Sequence, residues 1–301
     1  TLDVEMPKMD GITFLERLME HQPMPVIMVS SLTRQTSRKG MEALEKGAVD
    51  VVGKPEGDSS DSIQQLEDEL MPKLRAAYRA RKTVGRDRSG GTTDEEQLPD
   101  LDHDHYDLIL IGSSTGGVDA IKNIFTELTD DLPPILVVQH MPPVFTRQFS
   151  ERIDKNSAVN FAEAGDRSRA GPGEALLAPG DQHMAVRRLN SSGTVTVHLT
   201  QDEKIHSQKP AVEILFNSAA EKAGDANLLG LVLTGMGKDG RDGSRALERQ
   251  GATILTQDEE SSVVYGMPQR VQEVVDSAQS VSLDEIPALF NQLHRNPSHE
   301  S

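Results

Sequence analysis

The chain has 301 residues, enough for about two domains of ordinary size, and its 36% apolar content supports compact cores rather than disorder. It has no cysteine, which excludes disulfides, thiolate metal sites and a cysteine nucleophile and fits a reducing compartment. A net charge of −17 disfavours nonspecific binding to nucleic acid or to an anionic membrane.

No apolar run approaches the roughly 18–20 residues that span a bilayer. Thr1-Leu-Asp-Val-Glu lacks the basic-then-apolar pattern of a signal peptide. No membrane insertion and a cytoplasmic location are therefore expected. There is no initiator Met and the sequence begins inside a motif, so a missing N-terminus is expected as well.

Residues 1–78 read as one unit. A helix spans Gly11 to His21, a strand Pro25 to Val29 ends in Ser30-Ser31, and a second helix runs near Gln35 to Lys46. Val49 to Val52 is a short strand ending at Gly53-Lys54-Pro55, and an amphipathic helix covers Gln64 to Arg81. Taken singly, Asp3 reads as a strand-end carboxylate, Ser30 as a helix cap and Lys54 as a solvated cation. As an ordered set, with Met-Pro-Lys-Met-Asp10-Gly11 following Asp3, they resemble the receiver domain of two-component response regulators.

That resemblance implies that Asp3 accepts a phosphoryl group from a histidine kinase. It implies that Asp3 and the backbone carbonyl of Glu5 bind Mg²⁺, that Ser30 is the switch hydroxyl and that Lys54 is the active-site lysine. The lysine and the metal would offset phosphate charge. A receiver begins with a strand whose acidic pair completes the Mg²⁺ site. That strand, the first helix and the second strand are not in this sequence, so the metal site is expected to be incomplete and the receiver partial.

Residues 79–105 are basic, then rich in Ser, Gly and Thr, then acidic, with no sustained apolar period, and read as linker. From 106 to 294 strands and helices alternate again, and 295–301 is a polar tail. The alternation in both units predicts α/β architecture with two doubly wound parallel sheets, one flavodoxin-like and partial, the other Rossmann-like.

In the second unit the apolar run Leu108 to Ile111 ends in Gly112-Ser113-Ser114-Thr115-Gly116-Gly117, and a helix follows from Val118. A serine at such a corner suits a nucleophile, and the same loop suits phosphate binding. Two further runs help to decide. Pro134 to Val138 stops at Gln139-His140, and Leu229 to Thr234 stops at Gly235-Met236-Gly237-Lys238-Asp239. Ser114, His140 and Asp239 thus follow the carboxyl ends of predicted parallel strands, where ligands and chemistry gather. They form a candidate nucleophile, base and orienting acid. The rivals are His183, in a Pro-Gly-Asp-Gln-His turn, and Asp242, further past its strand.

Five ordered blocks resemble the catalytic domain of the chemotaxis protein-glutamate methylesterase family, CheB. They are Ile111–Gly117, Val138–Pro143, Ala178–Met184, Leu233–Gly240 and Gln257–Pro268. A receiver, a linker and this domain make up that family's architecture. The resemblance implies a triad of Ser114, His140 and Asp239, with Thr115 positioning the imidazole and the Met236 N–H in the oxyanion hole. Ser113 stands where alanine is common in the family; both are small, and little effect is expected.

The implied substrates are glutamyl methyl esters of methyl-accepting chemoreceptors, with receptor glutamines as further substrates. Phosphorylation would regulate the esterase, and catalysis would need no cofactor. The alternative is a response regulator whose output domain binds a nucleotide or a protein without catalysis. The Gly112–Gly117 loop weakens the nucleotide version, because it lacks the Gly-Lys-Ser/Thr ending of a P-loop and the glycine spacing of a dinucleotide fingerprint.

Overall fold

The computed structural model describes residues 1–31, 34–54, 60–79, 101, 105–222 and 224–295. Most of the expected linker and tail lie outside these residues. The chain divides into two units, Thr1–Glu96 and Gln97–Ser301. Among the described residues no helix is long and apolar enough to cross a membrane.

The first unit runs β1 (Leu2–Asp3), α1 (Gly11–His21), β2 (Ile27–Ser31), α2 (Arg34–Glu45), β3 (Asp50–Lys54) and α3 (Ser60–Arg79). The strands form a parallel sheet in the order β1-β2-β3. Asp3 lies opposite Val29 and Ser31 opposite Lys54, so Asp3, Ser30 and Lys54 sit together at the carboxyl edge. Helix α1 begins where Asp10 accepts the Thr13 N–H at 2.9 Å and buries Ile12 and Leu15.

The second unit opens with β4 (His105–Tyr106), β5 (Leu108–Ser113), α4 (Gly117–Glu127), β6 (Ile135–Gln139), α5 (Pro143–Asp154), β7 (Asn160–Glu163), β8 (Arg169–Ala170) and β9 (Glu174–Leu177). It continues with β10 (His183–Leu189), β11 (Val195–Thr200), α6 (Val212–Lys222), β12 (Leu228–Val232), α7 (Arg241–Glu248), β13 (Thr253–Gln257), α8 (Met267–Gln272), β14 (Gln279–Val281), α9 (Ile286–Phe290) and β15 (His294–Arg295).

Seven strands form one wholly parallel sheet in the order β14-β13-β12-β5-β6-β9-β7. Every residue of β5, β6 and β12 is buried, which is why these strands read as unbroken apolar runs rather than as alternating ones. Leu108, Leu110, Leu136 and Val138 pack in one cluster with Leu215 and Phe216 of α6 and with Met184 and Val186 of β10. Strands β10, β11 and β8 form a separate antiparallel sheet, an addition to the doubly wound plan expected from the sequence.

Candidate active site

Strands β5 and β12 are neighbours, yet the chain winds outward from β5 through β6 and in the opposite direction from β12 through β13. A parallel sheet leaves an open crevice at the carboxyl ends of such a reversal. Ser114 follows β5, His140 follows β6, and Asp239 lies in the loop between β12 and α7.

Backbone bonds shape the corner at Ser114. Its N–H donates to Thr234 O at 3.1 Å, and its carbonyl accepts the Gly117 N–H at 2.8 Å. Gly116 takes φ 83° as it starts α4, a left-handed conformation that favours glycine. The loop after β12 presses against this corner. A Cβ at Gly235 would lie 2.8 Å from Ser114 Cβ, so the close approach needs glycine there.

The His140 ring meets Asp239 through Nε2 and Oδ2 at 2.7 Å, with both side chains buried. Oδ2 also accepts the Val212 N–H at 2.8 Å, and Oδ1 accepts the Glu213 N–H at 2.9 Å. These amides open α6. Burial pushes the Asp239 carboxyl up, but the imidazole and the two amides outweigh it and hold the carboxyl below its ordinary range. An ionised carboxylate can only accept, so Nε2 carries the ring proton and Nδ1 is the basic nitrogen. Nδ1 is buried and has no hydrogen-bond partner among the described residues. Ser114 Oγ is therefore not bonded to it here; such contacts often close only when substrate is bound.

Thr115 is buried, and its carbonyl accepts the Thr234 hydroxyl at 3.0 Å. The Met236 N–H, expected in the oxyanion hole, pairs with no carbonyl among the described residues. His183, the rival base, has both nitrogens committed. Nδ1 accepts the Ala211 N–H at 3.1 Å, and Nε2 meets Glu203 O at 3.0 Å. It pins the residue before α6 and has no nitrogen to spare for proton transfer. Asp242, the rival acid, is engaged by Arg241 at 2.9 and 3.0 Å.

Sequence reasoning did not single out Gln139. It is buried, its Nε2 donates to Ser114 O and to His140 O, both at 3.0 Å, and its Oε1 accepts the Ser113 hydroxyl at 2.6 Å. An amide between an apolar strand and a candidate base was the available signal.

In the first unit, Asp3 and Lys54 form an ion pair, and Asp3 Oδ1 accepts the Glu5 N–H at 3.1 Å. Partial burial raises the Asp3 carboxyl, but Lys54 and the amides dominate and lower it. The buried Ser30 hydroxyl donates to Ser31 O at 3.2 Å. Asp3 and the Glu5 carbonyl offer two oxygen ligands where Mg²⁺ takes six. Among the described residues no group of three His, Cys, Asp or Glu could hold a metal. Among the described residues the donors present do not make a complete protein site.

Residues 109–290 match the family model for CheB methylesterase, and residues 1–66 match that for the response regulator receiver domain. A protein-glutamate methylesterase/protein-glutamine glutaminase 2 of Cupriavidus pinatubonensis is 45% identical over 268 residues, covering 89% of this chain and 74% of the relative. A protein-glutamate methylesterase/protein-glutamine glutaminase of Chromohalobacter salexigens is 42% identical over 289 residues, covering 96% of this chain and 80% of the relative. The crystal structure of the Thermotoga maritima CheB methylesterase catalytic domain superimposes with a TM-score of 0.58 at 37% identity, covering 62% of this chain and 98% of that one.

Proposed function

The chain belongs to the CheB methylesterase family, and we propose that it is a phosphorylation-regulated serine esterase that hydrolyses glutamate methyl esters on chemoreceptors. The observation that carries the mechanism is the buried His140 ring, with Asp239 on Nε2 and an open acceptor at Nδ1, at the same sheet edge as the Ser114 corner.

Ser114 Oγ attacks the ester carbonyl as its proton passes to Nδ1 of His140. The imidazolium that forms faces the ionised Asp239 across the 2.7 Å contact, which stabilises the charge and fixes the tautomer. The tetrahedral oxyanion takes the Met236 N–H, a donor of a kind worth about 3–4 kcal/mol to the transition state. As the tetrahedral species collapses, the C–O bond to the methoxy group breaks and Nδ1 returns the proton, releasing methanol. Water, deprotonated by the same nitrogen, then cleaves the acyl-serine to leave a glutamate carboxylate. A glutamine side chain enters by the same route with ammonia as the leaving group, which accounts for the glutaminase activity in the relatives' names.

In the receiver, Asp3 accepts the phosphoryl group from a histidine kinase, with Lys54 at hand to pair with its charge. A non-catalytic binding module would have no use for a buried imidazole oriented by a carboxylate with its other nitrogen open.

The test is methanol release from methylated chemoreceptor membranes by wild type and Ser114→Ala. Release is expected to fall by about 10³-fold or more, with thermal melting unchanged. Release retained in the variant would overturn the assignment of the nucleophile.

A further inference from the structure

Helices α6 and α7 exchange carboxylates at their N-termini. Asp239, just before α7, accepts the Val212 and Glu213 amides that open α6. Glu213, in the first turn of α6, accepts the Asp242 N–H on Oε1 at 3.0 Å and the Gly243 N–H on Oε2. Each carboxylate satisfies amide donors that the other helix leaves open. The end of the loop that carries Asp239 is thereby fixed twice where it enters α7, once by Asp239 itself and once through Glu213.

Glu213 is only 5% exposed and takes no direct part in the proposed chemistry. Burial raises its carboxyl to about 7, with the Asp239 and Asp242 charges adding to the rise and the two α7 amides opposing it. The titratable groups around it are Asp239, Asp242 with its Arg241 partner on α7, and His206, whose Nε2 is 3.8 Å from Oε1. On β10, His183 is bound to Ala211 beside the same helix start.

We propose that Glu213 is a positioning residue for the His140–Asp239 pair, acting in its ionised form, in which each oxygen takes one amide of α7 and fixes the loop that carries Asp239. This rests on the reading of His140 as base and Asp239 as its partner. The ionised form does not serve stability. A carboxyl near 7 in the folded chain, against 4.5 ordinarily, binds more protons folded than unfolded between those values. Ionisation of Glu213 therefore lowers stability as pH rises from about 4.5 to 7. A costly ion kept beside a reactive pair points to function rather than to folding.

The experiment uses the full chain, wild type and Glu213→Gln. A glutamine has the same shape but can accept one amide, not two. At pH 8 kcat is expected to fall about tenfold, the worth of one charged hydrogen bond, with KM within about twofold and a melting temperature no lower than wild type. Below pH 7 the tenfold gap between wild type and variant should close, as Glu213 of the wild type takes its proton and gives up the second amide. Hydrogen exchange at the Val212 amide should be faster in the variant by about tenfold.

Parallel loss of melting temperature and kcat at every pH would overturn the proposal, because that is what a purely structural residue gives. Unchanged kcat would overturn it too. If Glu213→Gln does not fold, wild-type protection of the Val212 amide decides, and protection that does not fall between pH 8 and pH 6 counts against. If wild type releases no methanol, the esterase reading has failed, and Val212 exchange alone tests whether Glu213 holds the loop, unchanged exchange counting against it.

Discussion

Gln139 donates one amide proton to the carbonyl of Ser114 and the other to that of His140, so the proposed nucleophile and base share a buried link. Small displacements of reacting groups are costly to rate, which makes this link a target. Gln139→Glu would face both carbonyls with a carboxylate instead of a donor. It is expected to lower kcat by about 10²-fold with little change in KM, measured by methanol release; an unchanged kcat would show that the link is dispensable. Ser113 illustrates what a sequence conceals at this scale. Its size suggested no consequence, but its hydroxyl donates to Gln139 Oε1, which a residue on the neighbouring strand supplies. Side-chain size can be read from one position, whereas a hydrogen bond needs the coordinates of two.

The elements that were legible are those with one strong local cause. β5, β6 and β12 are buried on both faces and so appear as continuous apolar runs, and their ends were placed within a few residues. α1 shows a capping signature, and Asp10→Ala should destabilise the first unit by about 1 kcal/mol by leaving the Thr13 N–H without its acceptor. Chemical denaturation followed by a probe in that unit measures this, and an unchanged midpoint would deny the cap its role. The β10–β11 ribbon was not legible. Its alternation is broken by a register shift between Val186 and Arg188, and its turn is closed by Asn190 Oδ1, which accepts the Ser192 and Thr194 N–H groups. The exchange of caps between α6 and α7 was equally hidden, since Glu213 reads locally as an ordinary acidic residue in a first turn.

Over the whole chain, a receiver and a methylesterase domain follow one another, and the proposed function puts control at Asp3. Asp3→Asn should take up no label from a phosphorylated kinase or a small phosphodonor, and phosphodonor should no longer stimulate methanol release. Stimulation retained in that variant would place the phosphoacceptor elsewhere. The composition excluded cysteine chemistry. The motifs after three apolar runs then named Ser114, His140 and Asp239, in an order that follows β5, β6 and β12 along the chain. Those inferences were available because strand burial and strand-end chemistry are local in sequence. The tertiary structure alone decided that Asp239 engages Nε2 of His140 and leaves Nδ1 without a partner among the described residues, that both nitrogens of His183 are occupied, that Gln139 bonds to the carbonyls of Ser114 and His140, and that Glu213 accepts amides of α7. Each of these depends on partners that only the winding of the sheet and the packing of α6 against α7 bring within hydrogen-bond distance.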